Sequence, residues 1–214
     1  MENKITLFKG EELHTIFRRN DTDFETLISN FTDDDIARRT LNGLTQEILA
    51  RYSIAFPELQ KKKTTTHIRS EKLVGHQLPA GTQYVVGKSY DIETAVYQLP
   101  FSGDGQIFFV KVNNSNLNSF TANKFIKRIT AQGNTIICEL TNWGTITGDD
   151  DVVDLIKNLF LQLIEAIETT LEPVKHEIEK YNETIAGKIA TAYNNRMDKL
   201  NLKKSTKKNL NPFI

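Results

Sequence analysis

The chain has one cysteine, one tryptophan, two methionines and five prolines in 214 residues. A single cysteine, Cys138, excludes an internal disulfide and a finger built on paired cysteines. It sits in the apolar run Thr135 to Leu140, which predicts a buried, inert thiol rather than a nucleophile. An excess of charge of either sign is also missing: Lys plus Arg and Asp plus Glu number 27 each. That balance removes any global electrostatic case for nucleic acid or an anionic membrane and leaves only local patches. It also offers little colloidal repulsion, which suits a chain that binds a protein partner or its own copies. The first twenty residues hold no apolar run of the kind a secretory signal needs. The longest apolar-rich stretch, Val152 to Leu171, is broken by Asp154, Lys157, Asn158, Gln162, Glu165 and Glu168. A membrane span is therefore not expected, and the expectation is a cytoplasmic protein without membrane contact.

What is present is an ordinary globular balance. Apolar residues make up 39% and charged residues 25%, which argues against wholesale disorder. The length suits one large domain or two small ones. The periodicity predicts an α+β protein: N-terminal helices, a central antiparallel sheet or sandwich, and a C-terminal helical hairpin. The expected divisions are a helical part over 1–60, a β region over 61–147, the helical hairpin over 148–203 and a basic tail over 204–214.

In the first part, Asp21 to Glu25 supplies cap residues ahead of Leu27 and Ile28, and Thr32 to Asp35 is a stronger helix start. Ala37, Leu41, Leu44, Ile48 and Tyr52 then mark one helical face that ends before Pro57. Lys61 to Thr66 reads as a polar connector. Beyond it the period falls to two. Strands are expected at Thr82 to Val86, after a turn at Pro79 to Gly81, and at Tyr90 to Tyr97. A further strand is expected at Gln106 to Val112, ended by Asn113 to Asn116. Phe125 to Thr130 and Thr135 to Leu140 flank a tight-turn pair, Gly133-Asn134, and predict a hairpin.

The last part opens on Gly148 to Asp151 as a cap. Val152, Leu155, Ile156, Leu159, Leu163, Ile167 and Leu171 follow as a stripe, widened by Val153, Phe160 and Ile164. Glu172-Pro173 marks either a kink or a new helix with Pro in its first turn. A second stripe runs through Val174, Ile178, Tyr181, Ile185, Ile189 and Ala192 toward Leu200. That helix would be roughly 40 Å long, packed along its predecessor or paired with another chain.

No catalytic set is legible. A restriction-type nuclease needs acids that hold Mg²⁺, but Phe109 stands where the second acid should fall between Asp104 and Lys111. His14, His67, His76 and His176 lack the two-His helical spacing of a zinc site. The Asp33 to Asp35 and Asp149 to Asp151 triplets are read as helix caps rather than cation sites. No phosphate-binding glycine loop or nucleophile elbow occurs. No metal or cofactor is expected. One charge asymmetry stands out: Arg196, Lys199, Lys203, Lys204, Lys207 and Lys208 face Asp198 alone. It reads as a partner-binding patch or as a solvated helix end.

The run Leu99 to Val112, carrying Pro100, Phe101, Ser102, Gly103 and Asp104 before the apolar Ile107-Phe108-Phe109 and the polar Asn113 to Ser115, resembles a module of bacterial defence proteins. There a strand enters a Pro-Phe-Thr/Ser-Gly-Asp turn, a second strand follows, and then come a helical pair and a basic tail with a terminal Pro-hydrophobic pair. The likeness spans roughly residues 80 to 214. The module precedes an effector, such as a restriction-type nuclease or a TIR domain. The resemblance implies a non-catalytic accessory role, with the effector on the same or a separate chain, and it transfers no catalytic residue.

The expected function is a sensing, regulatory or scaffolding module of an anti-phage defence system that works through protein contacts. One alternative is nucleic-acid binding by the basic tail. Another is an enzyme whose site disperses Tyr84, Tyr97, Asp91, Glu93 and Lys111 over the sheet.

Overall fold

The computed structural model describes residues 4–78, 82–113 and 115–210. Three helices come first: α1 (Leu13–Ser29), α2 (Asp33–Arg38) and α3 (Leu41–Tyr52). Strands β1 (Glu58–Leu59), β2 (Thr65–Val74), β3 (Ser89–Ser102), β4 (Ile126–Gln132) and β5 (Thr135–Thr141) follow, and helix α4 (Asp150–Asn209) closes the chain. The protein is α+β, as its periodicity predicts. Two compact units are present: Met1–Glu12 with Phe56–Lys175, and Leu13–Ala55 with His176–Ile214. Each is discontinuous in sequence, whereas the four stretches expected from the sequence are consecutive.

The first unit is built on β3. One edge of β3 pairs antiparallel with all of β2, from Thr65↔Gln98 to Val74↔Ser89. The other pairs with β5, from Thr94↔Thr141 to Pro100↔Thr135, and β1 meets the end of β3 at Leu59↔Phe101. The β4–β5 hairpin forms as expected around Gly133, whose φ of 54° suits a two-residue turn. Residues 4–12, ahead of α1, are not helical. Ile5 bridges Ile129, the Phe8 N–H donates to the Phe108 carbonyl at 2.7 Å, and the Gly10 N–H donates to the Phe109 carbonyl at 2.6 Å. A Cβ on Gly10 would lie 2.2 Å from that Phe109 oxygen, so only glycine allows the approach.

Two strand expectations fail here. Thr82 to Val86 is not a strand, and Val85 and Val86 are exposed. Gln106 to Val112 is not one either: Gly105–Phe109 forms a 3₁₀ turn with Ile107 and Phe108 both buried. Consecutive buried residues suit a tight turn under the sheet and not a strand with a single buried face. The strand that does pair along β3 is β2. Its residues are mostly polar and exposed, so no alternation announces it. The Pro79 to Gly81 turn, and Asn114 within Asn113 to Asn116, lie outside the described residues.

Helix α4 is a single helix, so the expected hairpin is corrected to one element. A hairpin needs a loop, and the segment around Pro173 has no turn residues besides the proline. The buried positions Ile167, Leu171, Val174, Ile178 and Tyr181 continue in phase through it. Pro173 is exposed and gives up only its own N–H, the donor for the Thr169 carbonyl. Asp149 caps the helix, its Oδ1 accepting from the Val152 N–H at 3.1 Å. Tyr97 of β3 stacks on Phe160 of α4, with ring centroids 4.0 Å apart. Val153 and Leu155 were expected in the apolar stripe but are exposed; the stripe runs through Ile156, Leu159, Leu163 and Ile167.

Cys138 of β5 is fully buried, and burial pushes its thiol up to about 12. A thiol so placed stays protonated and shielded at neutral pH. A disulfide-exchange reagent at pH 8 should therefore label the native protein only at the rate at which the sheet opens. Labelling as fast as that of the urea-unfolded chain would contradict the burial.

In the second unit, Phe17 stacks on Tyr181 with centroids 4.3 Å apart, and Phe24 meets Tyr52 edge-on. The Asn182 amide clamps Ile54, accepting from its N–H at 3.0 Å and donating to its carbonyl at 2.9 Å. Asp21 to Glu25 does not start a helix; it lies inside α1, whose buried Leu13, Ile16, Phe24 and Ile28 set the phase. The Thr32 cap forms as expected, with Asp35 completing a capping box. The single helix expected from Thr32 to Tyr52 is two, because Thr40 caps α3 by accepting from the Gly43 N–H. Ile36 is buried in place of Ala37, which is exposed.

Candidate functional site: a polar cleft and a basic helix end

The expected patch of cations divides into three groups. Arg196 and Lys203 are engaged. Arg196 Nη2 donates to the Phe31 carbonyl at 2.7 Å and to Asp33 Oδ1 at 2.8 Å, and Lys203 donates to Asp33 Oδ2 at 2.6 Å. Lys203 and Arg196 together hold the Asp33 carboxyl below its ordinary range. Lys199 lines a cleft with Arg196. Lys204, Lys207 and Lys208 project from the last turns of α4, where every residue from Asn201 to Leu210 is exposed. Residues 211–214 of the tail lie outside the described residues.

The cleft holds about 330 Å³ and lies between α1 and α4 of the second unit. Its origin is readable in the stripe of α4. Ile178, Tyr181, Ile185 and Ile189 are buried, and Leu200 is buried further on. The positions between them on the same face are Ala192, which is small, and Arg196, which is charged. Less side chain is available to fill the groove there, so it stays open. Glu25 and Ser29 of α1 stand on one side; Lys188, Thr191, Asn195 and Lys199 of α4 stand on the other.

Two of the cations at the cleft are held in place. Lys188 donates to Asp21 Oδ2 at 2.5 Å, and the Tyr181 hydroxyl donates to Asp21 Oδ1 at 3.3 Å. Burial, then the Asp21 charge, raises the Tyr181 hydroxyl far above its ordinary value, so it remains a donor. Arg196 is held by Phe31 and Asp33, yet its Nε is buried and has no acceptor among the described residues. Leaving a buried donor unmatched costs about 1–3 kcal/mol. Glu25 and Lys199 have no hydrogen-bond or ion-pair partner among the described residues. Glu25, Ser29, Lys188, Thr191 and Asn195 were not foreseen as site residues; the small Ala192 and the charged Arg196 on the apolar face of α4 could have pointed to the α4 wall, and nothing in the sequence marks Glu25 or Ser29.

The residues proposed for a dispersed enzyme site each have their own surroundings. Glu93 accepts from the backbone N–H groups of Thr147 at 2.7 Å and Ile146 at 2.6 Å, and these bonds hold its carboxyl below the ordinary range. Asp91 pairs with Lys72 at 3.6 Å, and Lys111 with Glu12 at 4.0 Å. Tyr97 stacks on Phe160, its hydroxyl raised by burial, and the Tyr84 ring lies over Gly75. Within the turn motif, Pro100, Phe101 and Ser102 end β3, Gly103 takes a φ of 84°, and Asp104 caps the 3₁₀ turn through the Gln106 N–H at 2.9 Å. Among the described residues no group of three or more His, Cys, Asp or Glu is placed to hold a metal ion, and no helix is long and apolar enough to cross a membrane.

Compared with protein-family models, curated proteins and solved structures, the chain matches none.

Proposed function

We propose that the chain is a non-catalytic interaction module of a bacterial defence system that docks an acidic protein on the basic end of α4. The observation that carries this reading is the exposure of every residue from Asn201 to Leu210 in a segment that is helical to Asn209. A helix of that length is marginal without something to pack against. It presents Lys204, Lys207 and Lys208 beside the exposed Leu202 and Leu210. Basic and apolar groups together suit an acidic protein surface with an apolar centre, where charge complementarity guides docking. The defence setting is supported only by the sequence likeness described above, whose motif is Leu99 to Ser115.

The test is purification of the tagged chain from its own cells, followed by rebinding of any captured protein in pure form. The expected result is a stoichiometric acidic partner whose affinity falls with salt. It should drop by roughly tenfold or more with Lys204→Glu, Lys207→Glu and Lys208→Glu combined. Retention of the partner by that variant would reject the reading. So would capture of nucleic acid alone, seen in the ratio of absorbance at 260 and 280 nm, or charge-insensitive self-association.

A further inference from the structure

We infer that the cleft of the second unit is a binding site for a small phosphorylated polyol, of the sugar-phosphate class. This inference is independent of the partner proposed for the helix end, which uses other lysines. Arg196 and Lys199 stand three residues apart on α4, on adjacent turns of one face, and both line the cleft. Arg196 is fixed by Phe31 and Asp33, so its guanidinium is oriented before any ligand arrives. Its Nε has no acceptor among the described residues, and Lys199 has no hydrogen-bond or ion-pair partner among them. A fixed guanidinium beside an unpaired ammonium is the donor set a phosphate dianion takes.

The rest of the lining sets the remainder of the ligand. Asn195 offers a neutral amide, and Glu25 offers a carboxylate unpaired among the described residues. The Ser29 and Thr191 hydroxyls, which donate to the Thr26 and Gly187 carbonyls, offer acceptor lone pairs to ligand hydroxyls. A carboxylate beside a phosphate site disfavours a bare anion and favours a ligand that also carries hydroxyl donors. Among the described residues the lining has no aromatic ring on which a nucleobase would stack, which favours a polyol over a nucleotide. About 330 Å³ is at the small end of ligand sites and larger than an inorganic ion needs. The charges facing the cleft are Glu25, Lys188, Arg196 and Lys199, with Asp21 and Asp33 behind two of them and Lys203 on Asp33. The balance is one net positive charge, counting four cations against three acids.

The experiment is calorimetric titration of the full chain with ribose 5-phosphate, ribose and inorganic phosphate at equal ionic strength. Ribose 5-phosphate should bind saturably, ribose should give no binding heat, and phosphate should bind roughly tenfold more weakly than the ester. Lys199→Ala should weaken the ester by about tenfold, the loss of one charge-assisted contact. Glu25→Gln should erase the preference for the ester over phosphate. Neither residue has a partner among the described residues, so both variants should unfold at the temperature of the parent protein. Absence of saturable ester binding, equal affinity for phosphate and ester, or an unchanged affinity in Lys199→Ala would each overturn the assignment.

Discussion

Phe108→Ala is expected to destabilise the sheet unit by about 3–5 kcal/mol, the range for removing a fully buried phenylalanine. Phe108 is 0% exposed and packs edge-on against Phe101 at 4.7 Å and tilted against Phe8 at 6.3 Å. Its carbonyl also receives the Phe8 N–H, so the ring and the backbone of this turn together hold the N-terminal segment on the sheet. Phe109, next in sequence, is 42% exposed. Phe109→Ala should change stability by under about 1 kcal/mol. The measurement is urea unfolding followed by the fluorescence of Trp143, the single tryptophan, which lies in the same unit. Equal losses from the two variants would mean that the turn does not sit beneath the sheet as described. A large gap would show that Phe108 belongs to the core of the sheet unit and Phe109 does not.

Arg196→Ala should cost the second unit about 1.5–3 kcal/mol. Arg196 is only 16% exposed, and its charged bond to the Phe31 carbonyl ties α4 to the link between α1 and α2. Alanine would leave that carbonyl without its donor and remove the packing of the arginine stem. The Asp33 contact is left out of this figure, because that carboxylate is open to solvent and its ion pairs are screened. Lys203, 72% exposed on the other oxygen of Asp33, is the contrast. Lys203→Ala should be nearly silent, as exposed ion pairs usually are. Thermal unfolding followed by far-ultraviolet circular dichroism checks both. If Arg196→Ala were as silent as Lys203→Ala, Arg196 would be a surface cation like its neighbours and its partition from them would fail.

These two residues also show where sequence reading stops. Arg196 and Lys203 look alike in the chain: both are basic, both lie on the C-terminal helix, and neither is set apart by its neighbours. Both reach the Asp33 carboxylate; what separates them is the burial of Arg196 and its bond to a carbonyl more than 160 positions away, at Phe31. Phe108 was recognised as apolar, and the run around it was read as a strand. Apolarity is visible in a sequence, but whether a short apolar run pairs or folds under a sheet depends on the strands already flanking β3. The polar cleft was half legible, because a small and a charged residue interrupt an otherwise apolar stripe at Ala192 and Arg196. Its α1 wall, Glu25 and Ser29, carries no such mark.

By itself the sequence determined the local structure. The Thr32 and Asp149 caps, the Gly133-Asn134 hairpin, the buried Cys138 thiol and the phase of the stripe from Ile156 to Ile189 all depend on residues within a few positions of one another. Helix period, capping and tight turns are short-range physics. The tertiary structure decided the rest. It recruited the polar β2 onto β3, joined residues 4–10 to the sheet, carried α4 through Pro173 without a break, and sorted the basic residues into structural, cleft-lining and exposed. Those outcomes come from backbone pairing and burial between distant segments, where the partner rather than the residue's own neighbours sets the free energy.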